Sequence, residues 1–200
     1  MFLSFLSAGL IATIGDFVVP ALLGKKHPNY NHYYHAISEL GVQDSPVRKW
    51  LSLWLIILGM LLILFGIGQF VQFTGNTLFH RLYVFGIIAF GVGAGIIAGI
   101  FSEDSPAAEE TKSGKVHGIF AGLGFIFLLL NPLWAQWIHE LGPYRTVNLL
   151  FFVIALVLFA LFVYSKEKTG ILGMSGLWQR LYLLAIYSVM LINFIVSKSA

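Results

Sequence analysis

The chain has 200 residues, of which 58% are hydrophobic and only 10% are charged, and its mean hydropathy is +0.85. A soluble domain has roughly a quarter of its residues charged, so this composition excludes a soluble globular protein. The formal net charge of +3 is small and scattered along the chain, which argues against nucleic acid as a partner, and the absence of cysteine excludes disulfides and thiolate metal sites.

Six apolar segments are long enough to cross a membrane as helices, since a hydrocarbon core of about 30 Å needs about 20 residues per helix. They cover residues 2–23, 50–73, 80–101, 116–138, 146–164 and 180–196. Proline removes a helical hydrogen bond, so Asn131-Pro132 predicts a kink in the fourth helix. We therefore predict an all-α, polytopic membrane protein in which residues 1–200 form a single integral membrane domain, a six-transmembrane-helix bundle.

Basic residues are distributed unequally between the two sides of such a bundle. Loops one, three and five together carry Lys25, Lys26, Arg48, Lys49, Lys112, Lys115, Lys166, Lys168 and Arg180. The side of the two termini carries only Arg81, Arg145 and Lys198. The positive-inside rule then predicts that the three odd-numbered loops are cytoplasmic and that both termini lie outside.

The first loop, residues 24–49, contains the segment His-Tyr-Tyr-His-Ala-Ile-Ser-Glu-Leu at positions 32–40. At 100° per residue, a helix over this segment has an apolar face and a polar face. The apolar face consists of Tyr33, Ala36, Ile37 and Leu40, and the polar face of His32, His35, Ser38 and Glu39. This pattern predicts a short amphipathic helix at the membrane interface; a simple solvated polar face is the alternative.

Glycines recur four residues apart on two neighbouring helices. Gly91, Gly95 and Gly99 lie on the third helix, and Gly118 and Gly122 lie on the fourth. Small residues at this spacing allow transmembrane helices to approach closely. The pattern predicts that helices three and four form a tight pair.

Asp16 lies within the first predicted helix, about 10 Å below the rim on the loop-one side at 1.5 Å per residue. An ionisable residue inside a membrane-spanning helix usually faces the bundle interior or a wet cavity. Further polar residues lie at the same rim, where helix three ends and helices four and six begin. The predicted ligand-binding residues are Asp16, His35, Ser38, Glu39, Asp104, His117 and Arg180.

Our leading interpretation of this set is a pocket for a lipid head group or a similar amphiphile, so the expected partner is a membrane lipid. The carboxylates would set the charge, the imidazoles would form hydrogen bonds, and Arg180 would bind phosphate. A structural subunit of a membrane complex, in which the polar cluster tolerates substitution, remains open.

The alternative from another class is a metal-dependent membrane hydrolase of a lipid amide or ester. Three protein ligands plus a water make a catalytic zinc site, and His32, His35 and His117 could supply those ligands. Glu39 or Asp104 would then act as the general base toward the metal-bound water. A divalent metal such as zinc is the cofactor that this interpretation requires.

Four elements of the sequence carry a resemblance to a known family. They are residues 37–41 (Ile-Ser-Glu-Leu-Gly), 99–104 (Gly-Ile-Phe-Ser-Glu-Asp), His117 and 176–181 (Gly-Leu-Trp-Gln-Arg-Leu). In this order they resemble a bacterial and archaeal family of six-helix membrane proteins, domain of unknown function 998, distantly similar to the Frag/DRAM/Sfk group. The resemblance implies a six-helix fold in a bacterial or archaeal cytoplasmic membrane. Because some members of the eukaryotic group act in GPI-lipid remodelling, it also implies lipid head groups as ligands.

Overall fold

The computed structural model of the chain describes residues 2–73, 77–105, 108–165 and 168–197. Within these ranges, six helical stretches are long and apolar enough to span a membrane, and we number them spans one to six. They are Phe2–Gly24, Arg48–Gln72, Leu78–Ile100, Lys112–Trp137, His139–Ser165 and Ser175–Val196. The predicted all-α six-helix bundle is confirmed. The Gly-Asn pair at residues 75–76, which predicts a short turn between the second and third helices, lies outside the described ranges.

Three spans are interrupted, whereas spans one, two and six are the continuous helices α1 (Phe2–Gly24), α2 (Arg48–Gln72) and α8 (Ser175–Val196). Span three consists of α3 (Leu78–Phe90), a π-helical segment (Gly91–Ile97) and α4 (Ala98–Ile100). Span four consists of α5 (Lys112–Leu129), α6 (Asn131–Trp134) and a 3-10 turn (Ala135–Trp137), and span five of a 3-10 turn (His139–Tyr144) and α7 (Arg145–Ser165). The break before α6 confirms the predicted kink, because Pro132 has no N–H to donate.

Spans four and six begin earlier than the hydropathy pattern predicts, at Lys112 and Ser175. The start of span four is fixed by Thr111, whose hydroxyl oxygen accepts a hydrogen bond from the N–H of Gly114 at 3.1 Å. Such a cap satisfies one of the free N–H groups of the first helical turn. Span four starts with polar residues and glycine (Lys-Ser-Gly-Lys), and span six starts with a mixed segment (Ser-Gly-Leu-Trp-Gln), so an apolar run does not reveal either start.

The amphipathic helix predicted over residues 32–40 is wrong, since residues 32–37 form turns and bends and only Ser38–Gly41 forms a 3-10 helix. Ile37 is 4% exposed and Leu40 is completely buried, so they belong to the protein core rather than to a membrane-facing surface. The backbone of this segment instead bonds to span six, where the N–H of Leu177 donates to the carbonyl of Tyr33 at 2.9 Å. Loop one therefore docks on the bundle.

The glycine ridge of span three packs mainly on span two. A β-carbon added at Gly95 would lie 2.6 Å from the Cα of Gly59, and one at Gly91 would lie 2.9 Å from the carbonyl oxygen of Gly59. A β-carbon at Gly99 would lie 2.8 Å from the carbonyl oxygen of Ser52. Two glycine-rich surfaces thus bring spans two and three into backbone contact.

Spans three and four also pack closely, but through glycines other than the predicted ones. A β-carbon at Gly93 would collide with the carbonyl of Phe120, and one at Gly124 would lie 3.2 Å from the Cα of Phe90. At Gly118 and Gly122 an added β-carbon would meet no atom within 4 Å among the described residues. The predicted packing role of Gly118 and Gly122 is therefore wrong, and they border open space.

Candidate functional site

A cavity of about 240 Å³ lies inside the bundle beneath loop one, lined by residues of loop one and of all six spans. Its walls are mostly apolar, and four phenylalanines contribute to them: Phe90, Phe125, Phe159 and Phe162. Its polar lining comes from Asp16, Ser38, Glu103, His117 and Gln179. Sites that enclose whole drug-sized ligands measure roughly 300–1,000 Å³, so this cavity has room for part of a larger molecule.

Asp16 points into the bundle interior as predicted and is only 3% exposed. The hydroxyl of Tyr187 donates to Oδ2 at 2.8 Å, and the indole N–H of Trp54 donates to Oδ1 at 3.4 Å. Gly15 makes room for that indole, because a β-carbon there would lie 2.6 Å from its Cζ2 atom. A carboxylate offers about four lone pairs, so both oxygens keep the capacity to accept a further hydrogen bond.

His117 lies at the start of span four and is 6% exposed. Its Nδ1 is 2.9 Å from the carbonyl oxygen of Phe101. Because a carbonyl only accepts, Nδ1 carries the proton, and in the neutral ring Nε2 is left as an acceptor. The same bond joins the end of span three to the start of span four.

Glu103 and Gln179 also line the cavity, although the sequence analysis did not select them. Oε2 of Glu103 is buried and has no hydrogen-bond partner among the described residues. Oε1 of Gln179 accepts from the N–H of Ile37 at 2.7 Å, which fixes the loop-one rim beside Ser38. Each of them is next in sequence to a predicted residue, Asp104 or Arg180, that does not line the cavity.

Arg180 does not line the cavity and instead binds the backbone of loop one. Its Nη1 donates to the carbonyls of His32 at 2.9 Å, of His35 at 3.3 Å and of Gly176 at 2.9 Å. Its Nη2 lies 2.9 Å from the hydroxyl of Tyr30 and 3.4 Å from Nδ1 of His32. Acceptors thus surround both terminal nitrogens, which corrects the predicted phosphate role of Arg180.

The neighbours of Arg180 reinforce this docking. The hydroxyl of Ser175 donates to the carbonyl of Tyr34 at 2.5 Å. At Gly176 a β-carbon would lie 2.5 Å from the carbonyl oxygen of His32, so only glycine allows the loop to approach this closely. Burial raises the pKa of the Tyr30 phenol, which keeps its hydroxyl available to donate to the carbonyl of Ala36 at 2.9 Å. We call the contacts between residues 30–37 and 175–180 the latch.

The histidines predicted as zinc ligands are not brought together. Nδ1 of His32 faces Arg180, and Nδ1 of His35 accepts from the backbone N–H of Asn31 at 3.0 Å. His117 binds the carbonyl at the end of span three instead. Within the described part of the chain, no group of three His, Cys, Asp or Glu side chains is placed to hold a metal ion. The predicted set of His32, His35 and His117 is therefore not assembled.

Asp104 and Glu39 also act within loops. Asp104 accepts from the N–H and the hydroxyl of Thr111, each at 2.7 Å, and these bonds lower the pKa of its carboxyl. Glu39 accepts from the N–H of Ala36 at 2.7 Å. Of the predicted ligand-binding residues, the cavity is lined by Asp16, Ser38 and His117, whereas His35, Glu39, Asp104 and Arg180 are not among the residues that line it.

Spans four and five contribute exposed residues to the cavity. Gly118 and Val163 line it and are also exposed at the bundle surface, Val163 to 54%. Gly118 and Gly122 add no side chain to this part of the lining, and a β-carbon at either position would meet no described atom within 4 Å. Both helices are long and apolar enough to span a membrane.

Comparison with known proteins gives a family without an assigned activity. The model of the family described as protein of unknown function (DUF998) matches residues 10–196, and the chain belongs to this family. The matched range contains every residue that lines the cavity. No curated protein and no solved structure matches the chain.

Proposed function

We propose that this member of the DUF998 family binds a membrane amphiphile, with the head group at Asp16, Ser38 and His117 and a chain between spans four and five. The observation that carries the proposal is a cavity that combines buried polar groups, Asp16 and His117, with apolar walls and with exposed lining residues on spans four and five. A lipid has the same division into a polar end and an apolar chain. A catalytic step is not part of the proposal.

The dimensions of the cavity suit the upper part of a lipid. Along span four it extends from His117 to Phe125, a distance of about 12 Å at 1.5 Å per residue. Its volume of about 240 Å³ accommodates a head group and the first part of one chain. The rest of the chain would lie between spans four and five and in the surrounding bilayer.

The polar end supplies most of the selectivity. An acyl chain gains little by moving from lipid to an apolar protein wall, because lipid tails are as apolar as the side chains they meet. A polar group brought into a low-dielectric cavity, in contrast, costs free energy unless it finds hydrogen-bond partners. The buried carboxyl of Asp16 and the imidazole of His117 provide such partners.

Filling the cavity tests the proposal. Leucine at Gly118 or Gly122 should fit without a backbone clash, because an added β-carbon meets no described atom within 4 Å, and glycine is unfavourable inside a helix. We expect Gly122→Leu to fold normally and to weaken binding of a fluorescent single-chain amphiphile in nanodiscs by at least about tenfold, or roughly 1.4 kcal/mol.

The matched control is Gly142→Leu, which makes the same change at a glycine that also has open space and does not line the cavity. It should bind the amphiphile like the wild type. Native mass spectrometry of both variants should show co-purifying lipid with Gly142→Leu and its loss with Gly122→Leu. Equal lipid retention in the two variants would refute the proposal.

We further propose that the protein resides in a bacterial or archaeal cytoplasmic membrane with loop one in the cytoplasm. The excess of lysine and arginine on the loop-one side supports this orientation. Because the chain has no cysteine, single-cysteine variants report sidedness directly. Ser45→Cys in loop one should resist an impermeant thiol reagent added to intact cells, and Gly142→Cys should react.

A further inference from the structure

We infer that the head group is a cation, an ammonium with N–H donors, and this inference rests on the proposed binding of an amphiphile. The polar lining of the cavity contains two carboxyl side chains, those of Asp16 and Glu103. No lysine or arginine is found among the described residues that line it. A phosphate placed there would face like charge, which disfavours binding.

The carboxyls of Asp16 and Glu103 differ in their hydrogen-bond partners. Asp16 accepts hydrogen bonds from Tyr187 and Trp54, and the charge of Arg180 acts on it. Oε2 of Glu103 is buried without a hydrogen-bond partner in the described ranges. Arg180 does not line the cavity, so among the described lining residues His117 is the only basic side chain beside these two carboxyls.

Hydrogen-bond capacity points to the same ligand. The lining offers the spare oxygens of Asp16, Oε2 of Glu103 and Nε2 of His117 as acceptors. An ammonium group has three donors and no acceptor, so it matches this set. A buried acceptor without a partner is destabilising, and the ligand would remove this cost at Glu103.

Arg180 cannot convert the cavity into a phosphate site while the latch is closed. Its two terminal nitrogens carry four N–H groups, and acceptors from loop one and from its own helix surround them. Turning toward a phosphate would leave the carbonyls of His32 and His35 without this donor. The guanidinium of Arg180 therefore serves to hold loop one in place.

The test compares two amphiphiles with the same chain, dodecylammonium and dodecyl phosphate, by displacement of a fluorescent probe from the full-length protein in zwitterionic nanodiscs. We expect dodecylammonium to bind at least about tenfold more tightly than dodecyl phosphate. Glu103→Gln keeps the shape of the side chain and removes its charge, and it should lose most of this preference. Uncharged dodecyl maltoside should bind equally to the wild type and to Glu103→Gln.

The matched control is Glu109→Gln, which removes an exposed charge from the same loop without touching the cavity. It should retain the preference for ammonium, which separates the cavity from attraction to the surface as a whole. A thermal melt of each variant confirms that it is folded. Equal or tighter binding of dodecyl phosphate by the wild type would overturn the inference and leave amphiphile binding intact. If no probe binds and Gly122→Leu behaves as the wild type, the proposed function fails, and this inference fails with it.

Discussion

Replacing Arg180 distinguishes a structural role in the latch from the phosphate-binding role that the sequence suggested. Arg180→Ala removes the donors of the carbonyls of His32 and His35 and of the hydroxyl of Tyr30. Arg180→Lys keeps the positive charge but replaces a planar fork with a single ammonium. If position 180 needed only a positive charge, it would tolerate lysine. If it needs a planar guanidinium that reaches several acceptors at once, it would not.

The expected loss follows from the bonds that join Arg180 to loop one. A hydrogen bond to a charged group contributes roughly 1.5–3 kcal/mol, and Arg180 makes bonds of this kind to His32, His35 and Tyr30 of loop one. We therefore expect Arg180→Ala to weaken docking of loop one by about 3–5 kcal/mol, and Arg180→Lys by roughly half of this. Since 1.4 kcal/mol is a factor of ten, loop one should open more than about a hundredfold more often in Arg180→Ala.

Hydrogen–deuterium exchange of residues 30–37 measures this opening directly. Protection should fall strongly in Arg180→Ala and less in Arg180→Lys, while span two should exchange as in the wild type. Arg145→Ala, an exposed arginine on the opposite side of the bundle, is the matched control and should leave loop one protected. Unchanged protection of residues 30–37 in Arg180→Ala would show that the latch does not depend on this guanidinium.

Three further predictions concern the loops and the helix contacts. Burial and cationic neighbours hold the pKa of His32 below its usual 6.5. Docking of loop one should therefore be complete above pH 6.5 and weaken as the pH falls toward the lowered pKa of the docked state. Hydrogen–deuterium exchange at about pH 7 and about pH 5, corrected for intrinsic rates, should show this weakening in the wild type and not in His32→Asn. Asp104→Ala should fray the start of span four, because Thr111 loses its acceptor; amide exchange at residues 112–115 will report it, with amphiphile affinity unchanged. Gly93→Ala should destabilise the bundle by about 1–3 kcal/mol through overpacking, which a lower melting temperature would show. Gly118→Ala and Gly122→Ala should not lower the melting temperature, because an added β-carbon has open space there.

The spans were predictable because the bilayer imposes a length and a composition on each helix. The kink at Asn131-Pro132 was predictable because proline lacks an N–H. The starts of spans four and six were not, since they depend on a cap by Thr111 and on docking of loop one against the turn that begins at Ser175. The prediction of a short helix over residues 32–40 failed for the same reason. The backbone of this segment forms turns that hydrogen-bond to span six, in place of the helix that the amphipathic pattern favoured.

Asp16 was predictable as an inward-facing residue because a carboxyl exposed to lipid is too costly. The docking contacts of Arg180 were not predictable, because a sequence does not show that the acceptors of a guanidinium are backbone carbonyls. Carbonyls belong to every residue, so no side-chain pattern marks them. Glycine spacing was similarly ambiguous: Gly91 and Gly122 belong to the same kind of motif, yet one contacts a neighbouring backbone and the other borders a cavity.

The latch and the cavity share residues, which has a consequence for how a ligand enters. Gln179 lines the cavity and also accepts from the N–H of Ile37, and Ile37 and Ser38 form the loop-one rim. A ligand that came from the aqueous side would have to displace this rim and the adjoining segment that Arg180 holds at His32 and His35. A ligand that came from the bilayer would pass Gly118, where no side chain blocks the way. If the protein binds an amphiphile as we propose, the free energy that holds loop one in place favours entry from the membrane. Opening the latch by Arg180→Ala should then speed exchange with amphiphile dissolved in water more than exchange with amphiphile in the bilayer.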